Sequence, residues 1–356
     1  MNELLVKLKY LYQRKKITPP SNLIFHVTYR CDSACRHCFN YKELNQPGYR
    51  ELNLAEIEKI SKSLGSVSSL GLSGGEPFLR SDLPEICQRF IKYNKINTIC
   101  LPTNGFLPEI IYQQVKEILK RYKGELILLL SLDGTKEIND YIRGVPGAFD
   151  KTLISYQKLV ELKKKFPNLN LRVNSCVTQK NWQSLLELAK FVKKQMPEIS
   201  WHNFELIRGE SKDPNLSPPS IDDYQKFIKI IKKYWDQGQF FSTSQSRSYL
   251  GRKTKKFMLD LNVEILKQKR QVIKCYSPGH TYAVLYPNGE VRLCELLPSV
   301  GNVCQANFDL LKVLSGQKSY DQKKWILAGN CYCTHSCFQS SNCILNPLVY
   351  LKILSS

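Results

Sequence analysis

Six short apolar segments, each followed by a helical pattern, constrain the fold of this chain more than any other feature. Most of these segments are nearly continuous in apolar residues, which indicates strands covered on both faces of a parallel sheet. Six βα repeats predict an α/β domain, either an incomplete barrel or a doubly wound sheet. The predicted strands are Leu23–Tyr29, Ser69–Ser73, Ile96–Leu101, Leu126–Leu132, Leu169–Val177 and Ile199–Ile207, and the predicted helices are 54–64, 82–94, 108–122, 149–166 and 182–196.

Unusual residues follow the first four strands, at the end where ligands bind in both architectures. A Gly-Gly pair would let the backbone approach a ligand, and Glu76 would accept a hydrogen bond from an ammonium group. Because four successive loops share this character, we interpret them as one cofactor site. The loops contain Cys31, Cys35 and Cys38; Ser73-Gly74-Gly75-Glu76-Pro77; Thr103-Asn104-Gly105; and Ser131-Leu132-Asp133-Gly134.

The three cysteines of the first loop are spaced x3 and x2. Three thiolates can hold three corners of an iron–sulfur cube and leave one iron open for a ligand that is not protein. A zinc site is the alternative, with His26 or His37 as the fourth ligand.

Cysteine usage also indicates the compartment. The chain has 356 residues and 13 cysteines, seven of them between Cys275 and Cys343. No apolar run approaches the roughly 20 residues of a membrane helix, and the N-terminus lacks a signal-peptide pattern. We therefore expect a cytoplasmic protein whose clustered thiols bind metal. Cys87, Cys100 and Cys176 are isolated in apolar contexts and are expected to be small core residues.

The formal net charge is +21. Such an excess attracts nucleic acid or acidic surfaces, but no nucleic-acid-binding motif accompanies it, so we do not expect a nucleic-acid partner. The alternative to an enzyme is a basic, cysteine-rich zinc-binding protein that binds nucleic acid. Residues 1–19 predict a basic amphipathic helix, for which we favour packing on its own domain over contact with a membrane.

The cysteine triplet after the first strand and Gly74-Gly75-Glu76-Pro77 after the second resemble the radical S-adenosylmethionine (radical SAM) superfamily. The resemblance implies a partial (β/α)6 TIM-like barrel over residues 20–236. It implies a 4Fe–4S cluster on Cys31, Cys35 and Cys38, whose open iron binds S-adenosylmethionine (SAM). Reductive cleavage of SAM would give a 5′-deoxyadenosyl radical that abstracts hydrogen from a substrate. The positions that match cofactor contacts of the family are His37, Gly74, Gly75, Glu76, Asn104, Ser131 and Arg143, with Asn174 as a weaker candidate.

The C-terminal cysteines are similar to the SPASM or twitch extensions of this superfamily. Cys275-x13-Gly289-x4-Cys294 fits the opening of such a domain, and Asn288-Gly289 predicts a β-hairpin turn between Tyr282–Leu285 and Glu290–Leu293. The closing cysteines depart from the SPASM pattern, with x1, x3 and x5 spacings. We expect a helical connector over 237–270 and a small Cys-rich α+β domain over 271–356. One auxiliary 4Fe–4S cluster would be held by Cys275, Cys294, Cys337 and either Cys331 or Cys333, with two clusters or a zinc site as alternatives.

The resemblance leaves the reaction open. Modification of a ribosomally synthesised peptide, or of a small molecule or sugar, fits an auxiliary cluster. Glu205, Arg208 and Asp213, with His202, follow the last strand and are expected to point to the barrel mouth and contact the substrate. Flavodoxin or ferredoxin is the expected electron donor.

Overall fold

The computed structural model describes residues 19–236 and 249–355. The predicted N-terminal helix lies almost wholly outside the described residues. So does the first third of the predicted connector, residues 237–248.

The predicted alternation of strands and helices is confirmed, with most boundaries within two residues of those expected. The exception is a short helix, α4, which the sequence patterns did not predict as a separate element. The elements are β1 Asn22–Thr28, α1 Leu54–Leu64, β2 Ser69–Gly74, α2 Leu83–Asn94, β3 Thr98–Thr103, α3 Pro108–Arg121, β4 Glu125–Ser131, α4 Lys136–Arg143, α5 Ala148–Lys165, β5 Leu169–Val177, α6 Trp182–Gln195, β6 Ile199–Leu206 and α7 Ile221–Asp236.

Local sequence explains how these helices begin and where they pack. Helix α1 starts with a capping box, in which Asn53 accepts a hydrogen bond from the Glu56 amide and the Glu56 side chain accepts one from the Asn53 amide. Its buried residues Ile57, Ile60 and Leu64 recur at helical spacing on one face. This face packs on the outer side of the sheet, where the main core lies.

The C-terminal part adds three strands and five helices in the described residues. The predicted hairpin is confirmed. Its first strand pairs in parallel with β1, so the C-terminal part continues the same sheet as the βα repeats. The elements are α8 Tyr249–Gln268, β7 Tyr282–Leu285, β8 Glu290–Arg292, β9 Gly301–Asn302, α9 Leu310–Leu314, α10 Gln317–Leu327, α11 Ser336–Leu345 and α12 Pro347–Ser355.

The nine strands form one sheet in the order β6-β5-β4-β3-β2-β1-β7-β8-β9. The first six run in chain order without a switch point, which distinguishes a barrel from a doubly wound sheet. Arg208 after β6 lies 3.6 Å from Glu295 after β8, measured from Nη2 to Oε2. In a flat sheet those strands would be about 34 Å apart, at about 4.8 Å per strand. The sheet therefore curves back on itself as an incomplete barrel, as expected from the sequence.

The two faces of the strands are covered unequally, whereas the sequence led us to expect that both would be covered. In β3 and β5, residues alternate between fully buried and partly exposed. Leu101 and Val173 point to the helices and are fully buried, whereas Cys100, Arg172 and Cys176 on the other face are partly exposed. The concave face of the sheet therefore borders an open interior space. Among the described helices, none combines the length and apolar character that crossing a membrane requires.

Candidate active site

The loop with the three cysteines, residues 29–40, lies against the C-terminal end of α4. The amides of Ala34 and Arg36 donate to the carbonyls of Arg143 and Ile142, at 3.2 and 2.9 Å. A Cβ atom on Gly144, which follows α4, would lie 2.6 Å from the Ala34 carbonyl oxygen. The loop is therefore fixed by close backbone packing at the carboxyl end of β1.

The thiols of Cys31, Cys35 and Cys38 are free and partly exposed. Burial raises the pKa of Cys38 to about 11 and raises the pKa of Cys31 further, so both thiols are protonated until a metal displaces the proton. In residues 19–236 and 249–355, no three His, Cys, Asp or Glu side chains converge on a point that one metal ion could occupy. A 4Fe–4S cube binds each thiolate on a different iron, so three soft ligands on one short loop fit it without such convergence.

Arg143 lies beside this loop and is buried. Its Nη1 atom is 3.6 Å from the Cys35 sulfur, and its Nη2 atom is 2.7 Å from Oδ2 of the fully buried Asp133. His37 Nδ1 lies 3.9 Å from the same oxygen. Burial lowers the pKa of His37 to about 4, so the imidazole is neutral at physiological pH. The ion pair between Arg143 and Asp133 therefore holds a positive charge next to the Cys35 thiol. The sequence motif did not assign this role to Asp133.

Gly74 and Gly75 lie where β2 closely approaches the end of β1. A Cβ atom on Gly75 would lie 2.0 Å from the Arg30 carbonyl oxygen and 3.0 Å from Cβ of Cys31. On Gly74, at φ +134°, it would lie 2.4 Å from the Thr28 carbonyl oxygen. The two glycines therefore let β2 pack against the end of β1 and the first cysteine. Contact of their backbone with a cofactor stays a prediction.

Replacing Gly75 with alanine is expected to lower the free energy of unfolding by about 2 kcal/mol, because the added methyl group must displace the backbone at Arg30. Gly71→Ala in the same strand is the matched control, since its Cβ atom would make ordinary contacts at 3.9 Å. Urea denaturation of the two variants measures the difference. Equal stability of both would contradict this explanation.

The carboxylate of Glu76 is buried and joins the β2 and β3 loops. Its Oε1 atom accepts hydrogen bonds from Thr103 Oγ1 at 2.9 Å and from the Phe78 amide at 3.3 Å. Its Oε2 atom accepts one from the Asn104 amide at 2.8 Å. These bonds order the loop ends. Contact of Glu76 with a cofactor ammonium group stays a prediction.

Burial raises the pKa of Glu76 from its ordinary 4.5 to about 7. The folded state therefore binds a proton more tightly than the unfolded state does, and this group favours folding at acid pH and loses that contribution as the pH rises through 7. We expect Glu76→Gln to remove about 2 kcal/mol of the change in unfolding free energy between pH 5 and pH 8. Urea denaturation at both pH values measures it, and an unchanged pH dependence in the variant would refute the shift.

The other predicted cofactor residues also lie at the carboxyl ends of the strands. Asn104 Nδ2 donates to Asp32 Oδ1 in the cysteine loop at 2.6 Å. Ser131 and Asn174 are direct neighbours in the register of β4 and β5, and both are partly exposed on the concave face. Apart from its position between two cysteines, nothing in the sequence indicated that Asp32 belongs to the site. The cofactor contacts of these residues stay predictions.

Four of the C-terminal cysteines lie close together. Besides burial, Cys333 and Cys331 raise the pKa of Cys275, Cys333 and Cys275 raise the pKa of Cys294, and Cys333 raises the pKa of Cys331. Burial is the main cause that raises the pKa of all four thiols. Asn342 donates a hydrogen bond to the Cys275 sulfur at 3.2 Å and accepts hydrogen bonds from the amides of Tyr276 and Ser277. This donor set fits a 4Fe–4S cluster, as four thiolates do.

The other three C-terminal cysteines are placed differently. Burial raises the pKa of Cys337 to about 12, followed in effect by Glu205 and Glu295, yet its thiol is exposed. Cys304 accepts a hydrogen bond from Arg50 at 2.9 Å, and Cys343 is fully buried in the core.

Glu295 occupies a buried position between the two groups of cysteines. Its Oε1 atom is 3.0 Å from His26 Nε2, and its Oε2 atom contacts His335 Nε2 and lies 3.6 Å from Arg208. Burial alone raises the pKa of Glu295, but the hydrogen bonds from His26 and His335 and the charge of Arg208 outweigh it and hold the pKa well below its ordinary value. Glu295 therefore bridges β1, the hairpin and the segment that precedes α11.

The residues expected at the barrel mouth separate into three groups. Glu205 accepts a hydrogen bond from Ser336 at 2.5 Å and lies 4.0 Å from Arg208, on the concave side. Asp213 instead pairs with Arg36 at 3.6 Å, on the outside of the cysteine loop. The expectation for His202 is wrong, because it is fully buried on the opposite face of β6 and bonded to Ser175 at 2.8 Å.

Comparison with known proteins agrees with this geometry. Residues 25–192 match the family model of the radical SAM superfamily. The chain is 24% identical over 296 residues to the antilisterial bacteriocin subtilosin biosynthesis protein AlbA of Bacillus subtilis, covering 82% of this chain and 59% of AlbA. It is 27% identical over 305 residues to the AdoMet-dependent heme synthase of Methanosarcina barkeri, covering 81% of each.

Solved structures share the fold. SuiB of Streptococcus suis bound to S-adenosylmethionine matches with a TM-score of 0.63 at 19% identity, over 90% of this chain and 72% of SuiB. SuiB bound to its precursor peptide SuiA matches with a TM-score of 0.61 at 19% identity, over 89% and 70%. Residues 25–192 therefore form a radical SAM domain, the core of a class of enzymes that bind a 4Fe–4S cluster and SAM. The resemblance of the C-terminal part to SPASM or twitch extensions stays a prediction.

Proposed function

We propose that this chain is a radical SAM enzyme that modifies a peptide. The observation that carries the proposal is the placement of its two groups of cysteines. The triplet follows β1, the C-terminal group flanks the hairpin that pairs with β1, and Arg208 after β6 lies close to both Glu205 and Glu295. A substrate bound there would be within reach of both groups.

The names of similar proteins favour a peptide substrate. AlbA is a bacteriocin biosynthesis protein, and SuiB has been solved with a precursor peptide. Because this chain spans only 59% of the length of AlbA, we do not assign the reaction of AlbA to it. The match to a heme synthase over 81% of both chains favours a small-molecule substrate as the second candidate.

The bound cluster and SAM would supply a 5′-deoxyadenosyl radical for hydrogen abstraction, a chemistry that belongs to the cofactors. The residues of the chain bind and orient these cofactors. Cys31, Cys35 and Cys38 hold the first cluster, and Arg143 keeps a positive charge beside Cys35.

We further propose that Cys275, Cys294, Cys331 and Cys333 hold one auxiliary 4Fe–4S cluster. Two auxiliary clusters and a zinc site are the competing outcomes. Reduced flavodoxin or ferredoxin would donate the electron, and the free thiols suit a cytoplasmic location.

The test is iron and sulfide analysis of anaerobically reconstituted protein, with a dithionite-driven assay for 5′-deoxyadenosine from SAM. We expect about eight irons per chain, at four per cluster, and SAM cleavage. Zinc in place of iron, with no cleavage, would refute the proposal. An increase in 5′-deoxyadenosine on addition of a peptide, but not of a porphyrin, would distinguish the two substrate classes.

A further inference from the structure

Four parts of the chain meet around Arg208, which follows β6. Its guanidinium carbon lies 5.3 Å from the centre of the Phe39 ring, in the loop with the three cysteines. Its Nη2 atom lies 3.6 Å from Glu295 Oε2, after β8, and its Nη1 atom lies 4.0 Å from Glu205 Oε2, in β6. Ser336, the first residue of α11, donates a hydrogen bond to Oε1 of the same Glu205 at 2.5 Å. Arg208 therefore lies where the end of the barrel, the cysteine loop and the C-terminal part come together.

The guanidinium of Arg208 has donors that the protein does not use. A guanidinium carries five N–H donors, and the two neighbouring carboxylates lie too far away for hydrogen bonds. Within residues 19–236 and 249–355, no group accepts a hydrogen bond from this side chain, and its Nε atom is buried. The side chain is nevertheless 21% exposed, so a ligand can reach it. Donors in such a position need an acceptor from outside the protein.

Glu205 supplies an acceptor beside these donors. Ser336 holds its Oε1 atom, whereas its Oε2 atom accepts no hydrogen bond from the described residues. The Glu205 side chain is 15% exposed, and in the register of the sheet its neighbour is Cys176, on the concave face of β5. The end of β6 therefore presents a donor and an acceptor 4.0 Å apart, and a ligand can reach both.

The charges around this pair disfavour an acidic ligand. Burial lowers the pKa of Arg208, but the charges of Glu295 and Glu205 outweigh it and raise the pKa, so the guanidinium stays positive. Two carboxylates already face this one positive charge, and the carboxylate of a ligand would be repelled by them. An uncharged group that both accepts and donates hydrogen bonds meets no such repulsion.

We propose that Arg208 and Glu205 bind an uncharged amide group of the substrate, with Arg208 donating to its carbonyl oxygen and Glu205 accepting from its N–H. An amide carries both kinds of hydrogen-bonding group side by side, as the pair requires. The inference rests on the proposed function and deepens it, because every peptide contains amides. The amide comes either from an asparagine or glutamine side chain or from the peptide backbone.

The probes are the N-acetyl N-methylamide derivatives of glutamine, glutamate and alanine. The first two have the same shape and differ in one charge, and the third has backbone amides alone. Saturation-transfer NMR at constant ionic strength measures their dissociation constants for anaerobically reconstituted protein. We expect the glutamine probe to bind about tenfold more tightly than the glutamate probe. Weaker binding of the alanine probe would assign the site to a side-chain amide, and equal binding would assign it to the backbone.

Substitutions test the two residues separately. Arg208→Gln should weaken binding of the glutamine probe about tenfold, because the carbonyl oxygen loses its charged donor. Glu205→Gln should abolish the preference for glutamine over glutamate, because it removes both the acceptor and the repelling charge. Arg172→Gln is the control, since Arg172 lies on the same concave face and already donates to Glu125 at 3.4 Å. It should leave the preference intact, and urea denaturation checks that each variant is folded.

Equal affinities of the glutamine and glutamate probes, tighter binding of the glutamate probe, or no binding of any probe would overturn the inference. So would an unchanged preference in Glu205→Gln, or equal losses of affinity in Arg208→Gln and Arg172→Gln. Displacement of the glutamine probe by SAM in direct competition would assign the pair to the cofactor and would also overturn it. Failure of the proposed function is read separately, from iron content and SAM cleavage of the wild type.

Discussion

Cys35→Ala is expected to abolish formation of 5′-deoxyadenosine while the C-terminal cluster remains. Three thiolates are the minimum that holds a cube with one open iron, so loss of one leaves no stable SAM-binding cluster. The side chain is central to the loop, with Arg143 3.6 Å and Ser33 2.9 Å from its sulfur. Iron content should fall by about four per chain. Iron analysis and a dithionite-driven SAM-cleavage assay measure both effects.

Cys87→Ala is the matched control, because Cys87 is fully buried in the core between α2 and the sheet, away from both groups of cysteines. Its iron content and SAM cleavage should equal those of the wild type. Normal SAM cleavage by Cys35→Ala would show that the triplet had been wrongly assigned.

Cys294→Ala is expected to lose about four irons per chain, with the first cluster retained. Cys294 lies within electrostatic reach of Cys275 and Cys333, so its thiolate completes a group of four with Cys331. Cys337→Ala should keep the full iron content, because burial and then the charges of Glu205 and Glu295 raise the pKa of its thiol, whereas the other four thiols act on one another. Iron analysis and electron paramagnetic resonance of the reduced proteins measure the difference.

The opposite result is equally informative. Loss of four irons in Cys337→Ala, with none lost in Cys331→Ala, would restore the ligand set expected from the sequence. Loss of about eight irons in Cys294→Ala would indicate that the two sites do not fold independently.

The sequence predicts the βα repeats well, because each repeat is coded locally. A short apolar run such as Leu126–Leu132, followed by a segment with helical spacing of its apolar residues, is enough to predict one repeat. The turn at Asn288-Gly289 in the same way predicts the hairpin. The cysteine triplet and the Gly74-Gly75-Glu76 segment are contiguous, so their placement at the strand ends is also predictable. Family membership follows from these local features.

Features that depend on distant contacts are not predictable in this way. The bridge at Glu295 joins residues 269 positions apart at His26, and the pattern near Cys294 gives no sign of it. The close approach of Gly75 to the Arg30 carbonyl is likewise a contact between separate loops. His202 was misplaced because a single residue in a strand does not reveal which face it occupies.

The domain boundaries at residues 236 and 270 stay a prediction. The parallel pairing of Asn22–Phe25 with Tyr282–Leu285 has a consequence for any attempt to separate the βα repeats from the C-terminal part. Truncation before the hairpin would leave the backbone amides and carbonyls of β1 as an unprotected edge strand. Such an edge is long enough to pair with a second chain, so the shortened protein should aggregate. The cysteine-rich part therefore covers the edge of β1 as well as supplying thiols.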